Sequence, residues 1–174
     1  MLKKFIAALL CALACLSVAQ AHITLEQKSA IAGSTYKAIF RVGHGCEGSP
    51  TTALTVFLPD GFVGAKPMPK ASWKLDIKTE KLDKPYDSHG TLIFERAAQF
   101  TWSGGRLLDA EYDEFIINMT LPKTAEKRWI RILQQCEKGQ NDWASIPEEG
   151  KAAPRFPAPA LDIQQAMPSA EHHH

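Results

Sequence analysis

The chain is 174 residues long and 45% hydrophobic, with 20 Lys and Arg against 19 Asp and Glu. That length and apolar share suit one domain with a sizeable core. The near-zero charge balance offers no basic surplus, which argues against a surface for nucleic acid or anionic lipid.

The first 21 residues, MLKKFIAALLCALACLSVAQA, place Lys3 and Lys4 ahead of an apolar run from Phe5 to Val18, followed by small residues at Ala19 and Ala21. This is the pattern of a secretory signal peptide cleaved after Ala21. The run is shorter than the roughly 20 residues of a spanning helix, and no later segment comes closer, so no transmembrane segment is expected after signal removal. A second reading takes Ala12-Leu13-Ala14-Cys15 as a lipoprotein box, but it shortens the apolar core and gives up the better-matched site after Ala21. A periplasmic or secreted location is therefore expected.

With Lys3 and Lys4 gone, 18 of the 20 basic side chains face 19 acidic ones. Cys11 and Cys15 leave as well, and Cys46 and Cys136 are the remaining pair. In an oxidising compartment two such cysteines read as a structural disulfide. Closing a loop of about 90 residues, it contributes about 4 kcal/mol in the loop-entropy model. The other reading is a Cys/Cys copper site, for which the C-x-x-C or Met-rich setting is lacking.

From residue 22 onward, short alternating segments rich in β-branched and aromatic residues recur between turn signals. They are HITLE at 22–26, STYKAIFRV at 34–42, TTALTVFLP at 51–59, SWKLDIKTE at 72–80, TLIFERAAQFTW at 91–102, DEFIINMTLP at 113–122, KRWIRILQQC at 127–136 and DWASIP at 142–147. Turns are expected at 48–50, 59–61, 103–105 and 121–123. The spacing predicts an all-β, immunoglobulin- or fibronectin-like β-sandwich of about seven to nine strands over residues 22–149. Residues 123–136 can also be written as a helix, although Trp129, Ile130, Ile132 and Leu133 suit a buried strand, which is the preferred reading. Residues 150–174 turn Pro- and Ala-rich and read as a tail in which only residues 160–163 can add an edge strand. The tail ends in His172, His173 and His174, read either as a metal-collecting tail or as the remnant of a tag.

Cleavage after Ala21 makes His22 the first residue. Its α-amine and Nδ1 can then close one chelate ring, and nitrogen donors of this kind suit the tetragonal preference of Cu(II). The α-amine has an ordinary pKa of about 8, so binding weakens as pH falls. The plain alternative is a histidine that happens to follow a cleavage site and does nothing.

Beyond these first residues the chain carries, in order, Ala21-His22-Ile23-Thr24-Leu25-Glu26, Ala32-Gly33-Ser34 with Tyr36-Lys37-Ala38, His44-Gly45-Cys46, and Gly48-Ser49-Pro50-Thr51-Thr52. It continues with Lys66-Pro67-Met68-Pro69 and Trp73, Trp102-Ser103-Gly104-Gly105, Tyr112-Asp113-Glu114-Phe115, and Cys136-Glu137-Lys138-Gly139 leading to Trp143. Over residues 21–147 this succession resembles the YcnI-like domain family of exported bacterial proteins linked to copper handling. The resemblance implies a β-sandwich whose N-terminal histidine binds Cu(II) through amine and ring nitrogen, a single-histidine brace, with a carboxylate and a tryptophan nearby. Those roles fall on His22 and Trp143. Where the family often has a glutamate, seven residues after the histidine, this chain has Ser29, and Glu26 is the nearest candidate because strand residues four apart share a face. Ser72 likewise stands before Trp73 where the family tends to have glycine.

The expected function is Cu(II) storage, buffering or delivery, without catalysis. The implied partners are the copper ion and another periplasmic copper carrier or a copper-loading membrane protein. Two alternatives stand beside it: a metal-free, disulfide-stapled adhesion or scaffold module, and an oxidative copper enzyme, which needs a second histidine that only His44 or His89 could supply within the domain. His44, in a Gly-flanked loop beside Cys46, is read as shaping that loop, and Trp102 and Trp129 as core or sheet-edge aromatics.

Overall fold

The computed structural model describes residues 22–88 and 90–166. The expected signal peptide, His89 and the terminal histidines lie outside them. Among the described residues twelve strands follow one another: β1 (Thr24–Leu25), β2 (Ser29–Ile31), β3 (Thr35–Val42), β4 (Thr51–Phe57), β5 (Val63–Pro67), β6 (Lys74–Ser88), β7 (Thr91–Leu107), β8 (Asp113–Thr120), β9 (Lys127–Trp129), β10 (Arg131–Cys136), β11 (Gln140–Trp143) and β12 (Ala160–Gln164). They form a four-stranded sheet β1-β3-β8-β5, a five-stranded sheet β11-β10-β4-β7-β6 and a three-stranded sheet β2-β12-β9.

Alternation drives this arrangement. In β3, Tyr36, Ala38, Phe40 and Val42 are buried while Thr35, Lys37 and Arg41 face water. Its antiparallel neighbour β8 buries Phe115, Ile117 and Met119 on the same side. These side chains meet Leu54, Val56, Phe100, Trp102 and Ile132 of the five-stranded sheet in one core. Across the sandwich Trp102 and Phe115 lie edge to face at 5.4 Å. Burying each such large side chain stabilises the fold by about 1.5–3 kcal/mol relative to exposure.

The β-sandwich is as expected, and 123–136 contains strands and no helix. The number of strands exceeds seven to nine for local reasons. The segment 127–136 splits at the fully buried Ile130, whose N–H donates to the Pro159 carbonyl at 2.9 Å. Before it, Trp129 pairs with Ala160 in the three-stranded sheet, and after it, Arg131 pairs with Phe57 in the five-stranded one.

The turn expected at 103–105 is instead a bulge inside β7. Opposite it the β4 register shifts between Thr51 and Ala53, Gly104 takes φ 81°, and a Cβ on Gly105 would fall 2.1 Å from the Trp73 indole. Glycine is what lets the strand continue there.

The boundary expected at residue 149 also moves outward. β12 is the central strand of its sheet, parallel to β2 and antiparallel to β9, and Leu161 and Ile163 are buried in the common core. Residues 160–163, expected to add at most an edge strand, form the centre of their sheet, and two inward side chains complete the sandwich.

Candidate metal centre

The site is built around Trp143, the last residue of β11. Pairing with β10 in the register Ile132↔Trp143 and Gln134↔Asn141 turns the indole into the core, where it is 1% exposed. Its N–H donates to Gln134 Oε1 at 3.1 Å. Three rings meet this indole edge to face: His22 at 5.9 Å, His44 at 5.9 Å and Phe156 at 5.2 Å.

His22 reaches Trp143 because the residues after it are fixed. Ile23 and Leu25 are buried, β1 pairs with β3, and the His22 side chain remains exposed in a cleft shared with Thr24, Lys28, Trp129 and Pro157. Just beyond, the Tyr36 hydroxyl donates to the Gln27 carbonyl at 2.6 Å. Burial, reinforced by the negative charge of Glu26, pushes the Tyr36 phenol up to about 12.

His44 lies between β3 and β4, on a loop held at several points. The Gln134 amide donates to the His44 carbonyl at 2.7 Å and to Thr51 Oγ1 at 2.8 Å. Gly45 N–H donates to Asp109 Oδ1 at 2.9 Å, and a Cβ on Gly45 would lie 1.8 Å from the Ser49 carbonyl oxygen, so only glycine fits. Cys46 and Ser49 exchange backbone hydrogen bonds around Glu47 and Gly48, both at positive φ. The Cys46–Cys136 disulfide, with its Cα atoms 6.0 Å apart, ties this loop to the end of β10.

Glu26 has a different partner from the one sequence suggested. The register Thr24↔Arg41 brings its carboxylate to the Arg41 guanidinium at 2.6 Å, in an exposed cluster that also holds Glu114. Glu26 is not among the residues lining the His22 cleft. Ser29 lies in β2 opposite Asp162, whose carboxylate accepts a hydrogen bond from Gln164 at 3.1 Å.

The structure thus brings His22 and Trp143 together, adds His44, and draws Glu26 toward Arg41. Gln134 was missed because nothing local marks a strand glutamine as buried. A signal did exist: Gln134 stands two residues before Cys136 in β10, so the two share a strand face.

Among the described residues no three His, Cys, Asp or Glu side chains cluster closely enough to hold a metal ion. A centre at His22 therefore calls on a backbone donor, and the α-amine of a chain beginning at His22 is one. An exposed imidazole beside a buried indole fits a small chelate of this kind if the chain begins at His22.

The fold and site define an immunoglobulin-like β-sandwich carrying a histidine-flanked tryptophan at one end of the β10–β11 hairpin. Residues 22–163 match the family described as a domain of unknown function, DUF1775, and the chain belongs to that family, which comprises the YcnI-like proteins. No curated protein matches the chain. Among solved structures, an uncharacterized Nocardia farcinica protein with an immunoglobulin-like fold is similar at TM-score 0.65 and 22% identity, over 82% of this chain and 97% of that one. A putative membrane-anchored protein from Corynebacterium diphtheriae, at TM-score 0.38 and 9% identity, aligns with 86% of this chain, which spans 36% of that protein. No helix among the described residues is long and apolar enough to cross a membrane.

Proposed function

We propose that this protein is an exported, non-enzymatic Cu(II)-binding protein that stores, buffers or delivers copper in the periplasm or outside the cell. Its anchor is His22, acting through α-amine and Nδ1 once the signal peptide has been removed after Ala21. The observation that carries this reading is the edge-to-face contact of His22 with the buried Trp143 at 5.9 Å. It places the one residue able to supply two nitrogens from a new N-terminus beside a fixed aromatic wall. Handover to a periplasmic copper carrier or a copper-loading membrane protein follows from the exposure of His22, since an open ligand is reachable by a competing one.

Titration of Cu(II) into protein beginning at His22, read by Trp143 emission and by chelator competition, tests the proposal against His22→Ala. One equivalent bound with quenching, lost in the variant, is the expected outcome. Equal binding by both proteins rules it out.

A further inference from the structure

We propose that β6 is a self-association edge, on which a second copy of this chain adds antiparallel about a two-fold axis at Ile77. β6 is one edge of the five-stranded sheet, and β11, which carries Trp143, is the other. An edge strand presents unpaired N–H and C=O groups to any strand able to match it.

The charges of β6 are unanswered on the side where it is already paired. Lys74, Asp76 and Lys78 stand opposite the neutral Ser103, Thr101 and Gln99 of β7. Among the described residues none of the three forms an ion pair. On the other face Leu75 and Ile77 stand opposite Trp102 and Phe100, which are fully buried, yet Ile77 is 46% exposed. The apolar layer is therefore open along this edge.

One register satisfies both faces. A two-fold axis perpendicular to the sheet keeps the core-facing side chains of both copies on one side, so odd positions meet odd and even meet even. With Ile77 opposite its own copy, Asp76 meets Lys78, Lys74 meets Glu80 and Leu75 meets Thr79, each of them twice. Moving the axis to Asp76 or to Lys78 sets that residue against itself and puts further like charges opposite one another. Opposite charges and apolar pairs directly across strands stabilise a sheet, and like charges there destabilise it. The side chains that deter unrelated strands thus admit a second copy in this one alignment.

The backbone permits the same stretch and no more. The register shift after Lys78 places its extra residue, Ala98, in β7, so β6 runs regularly over 74–81, whereas the shift between Lys81 and Tyr86 lies in β6 itself. Glu80 Oε1 already accepts a bond from Arg96 at 2.6 Å, which leaves Asp76 and Lys78 as the main charge match. So short an interface suits a weak, concentration-dependent dimer. Association at β6 extends the sheet away from β11 and leaves the Trp143 edge of each copy outermost.

Analytical ultracentrifugation of protein beginning at His22, over rising concentration and with chelator present to exclude metal bridging, tests the proposal. The expected result is a dimer that Asp76→Lys and Lys78→Asp each abolish alone and that returns when the two variants are mixed, since every charged pair is then opposite in sign. Under mild oxidation Ile77→Cys should cross-link to its own copy at least about tenfold faster than Lys78→Cys, because only the former faces itself at disulfide distance. A monomer up to millimolar concentration overturns the proposal. So does a dimer indifferent to both charge changes, or equal cross-linking at the two positions.

Discussion

Gln134 Oε1 accepts the indole N–H of Trp143 at 3.1 Å, and the same side chain, fully buried, donates from its amide nitrogen to the His44 carbonyl. One amide therefore holds both the aromatic wall of the site and the loop beside it. Gln134→Leu removes these bonds and strands the indole N–H, the His44 carbonyl and the Thr51 hydroxyl. A loss of roughly 2–4 kcal/mol is expected in urea unfolding, because buried polar groups left without partners cost more than the bonds contribute. A loss under about 0.5 kcal/mol would show that water replaces the amide.

The Cys46–Cys136 bridge closes a loop spanning 90 residues and anchors the His44 loop. Replacing both cysteines by serine is expected to lower stability by about 4 kcal/mol through the loop entropy restored to the unfolded chain. Comparison of urea midpoints with and without reductant checks this. Reductant should shift the midpoint of the native protein and leave that of the double variant unchanged.

β12 belongs to the core. Leu161→Ala is expected to cost about 2–5 kcal/mol, the range for emptying a buried leucine site. An unchanged midpoint in a melting experiment would return residues 160–164 to the tail.

Tyr36 makes stability fall at high pH. Its phenol has an ordinary pKa of 10 and is pushed up to about 12 in the fold, first by burial and then by Glu26. Below pH 10 the phenol is protonated in folded and unfolded chains alike, and this contribution is fully present. Between pH 10 and 12 the unfolded chain loses the proton first, so stability falls with rising pH, by up to about 2–3 kcal/mol. Tyr36→Phe should lower stability at neutral pH by about 1 kcal/mol, for the lost bond to Gln27, and flatten the alkaline slope. Chemical denaturation at several pH values between 9 and 12 measures both.

Much of this was legible in the sequence. Period-two patterns such as Tyr36, Ala38, Phe40 and Val42 dictate a strand with one dry face, and the cysteine pair left after an expected signal peptide points to a bridge. Other features depend on pairing that local pattern does not encode. Ile130 divides one apolar run between two sheets, Gly104 and Gly105 continue a strand through a bulge against Trp73, and Leu161 and Ile163 find a central position amid Pro and Ala. At the site, Trp143 followed from the family resemblance. Its contact with His44 and its bond to Gln134 arise from the β10–β11 register. Four-residue spacing makes Glu26 the nearest carboxylate to His22 along the chain, while the fold pairs it with Arg41 at 2.6 Å.

The α-amine of His22 is the donor on which the copper reading depends. Its contribution is isolated by measuring Cu(II) affinity, at one pH and by chelator competition, for protein beginning at His22 with the amine free and with the amine acetylated. Acetylation leaves every side chain in place and removes one nitrogen from the chelate. The expected result is one Cu(II) per chain for the free amine and at least about a tenfold weaker affinity after acetylation, with less quenching of Trp143. Equal affinity for the two forms contradicts a centre built on the new N-terminus.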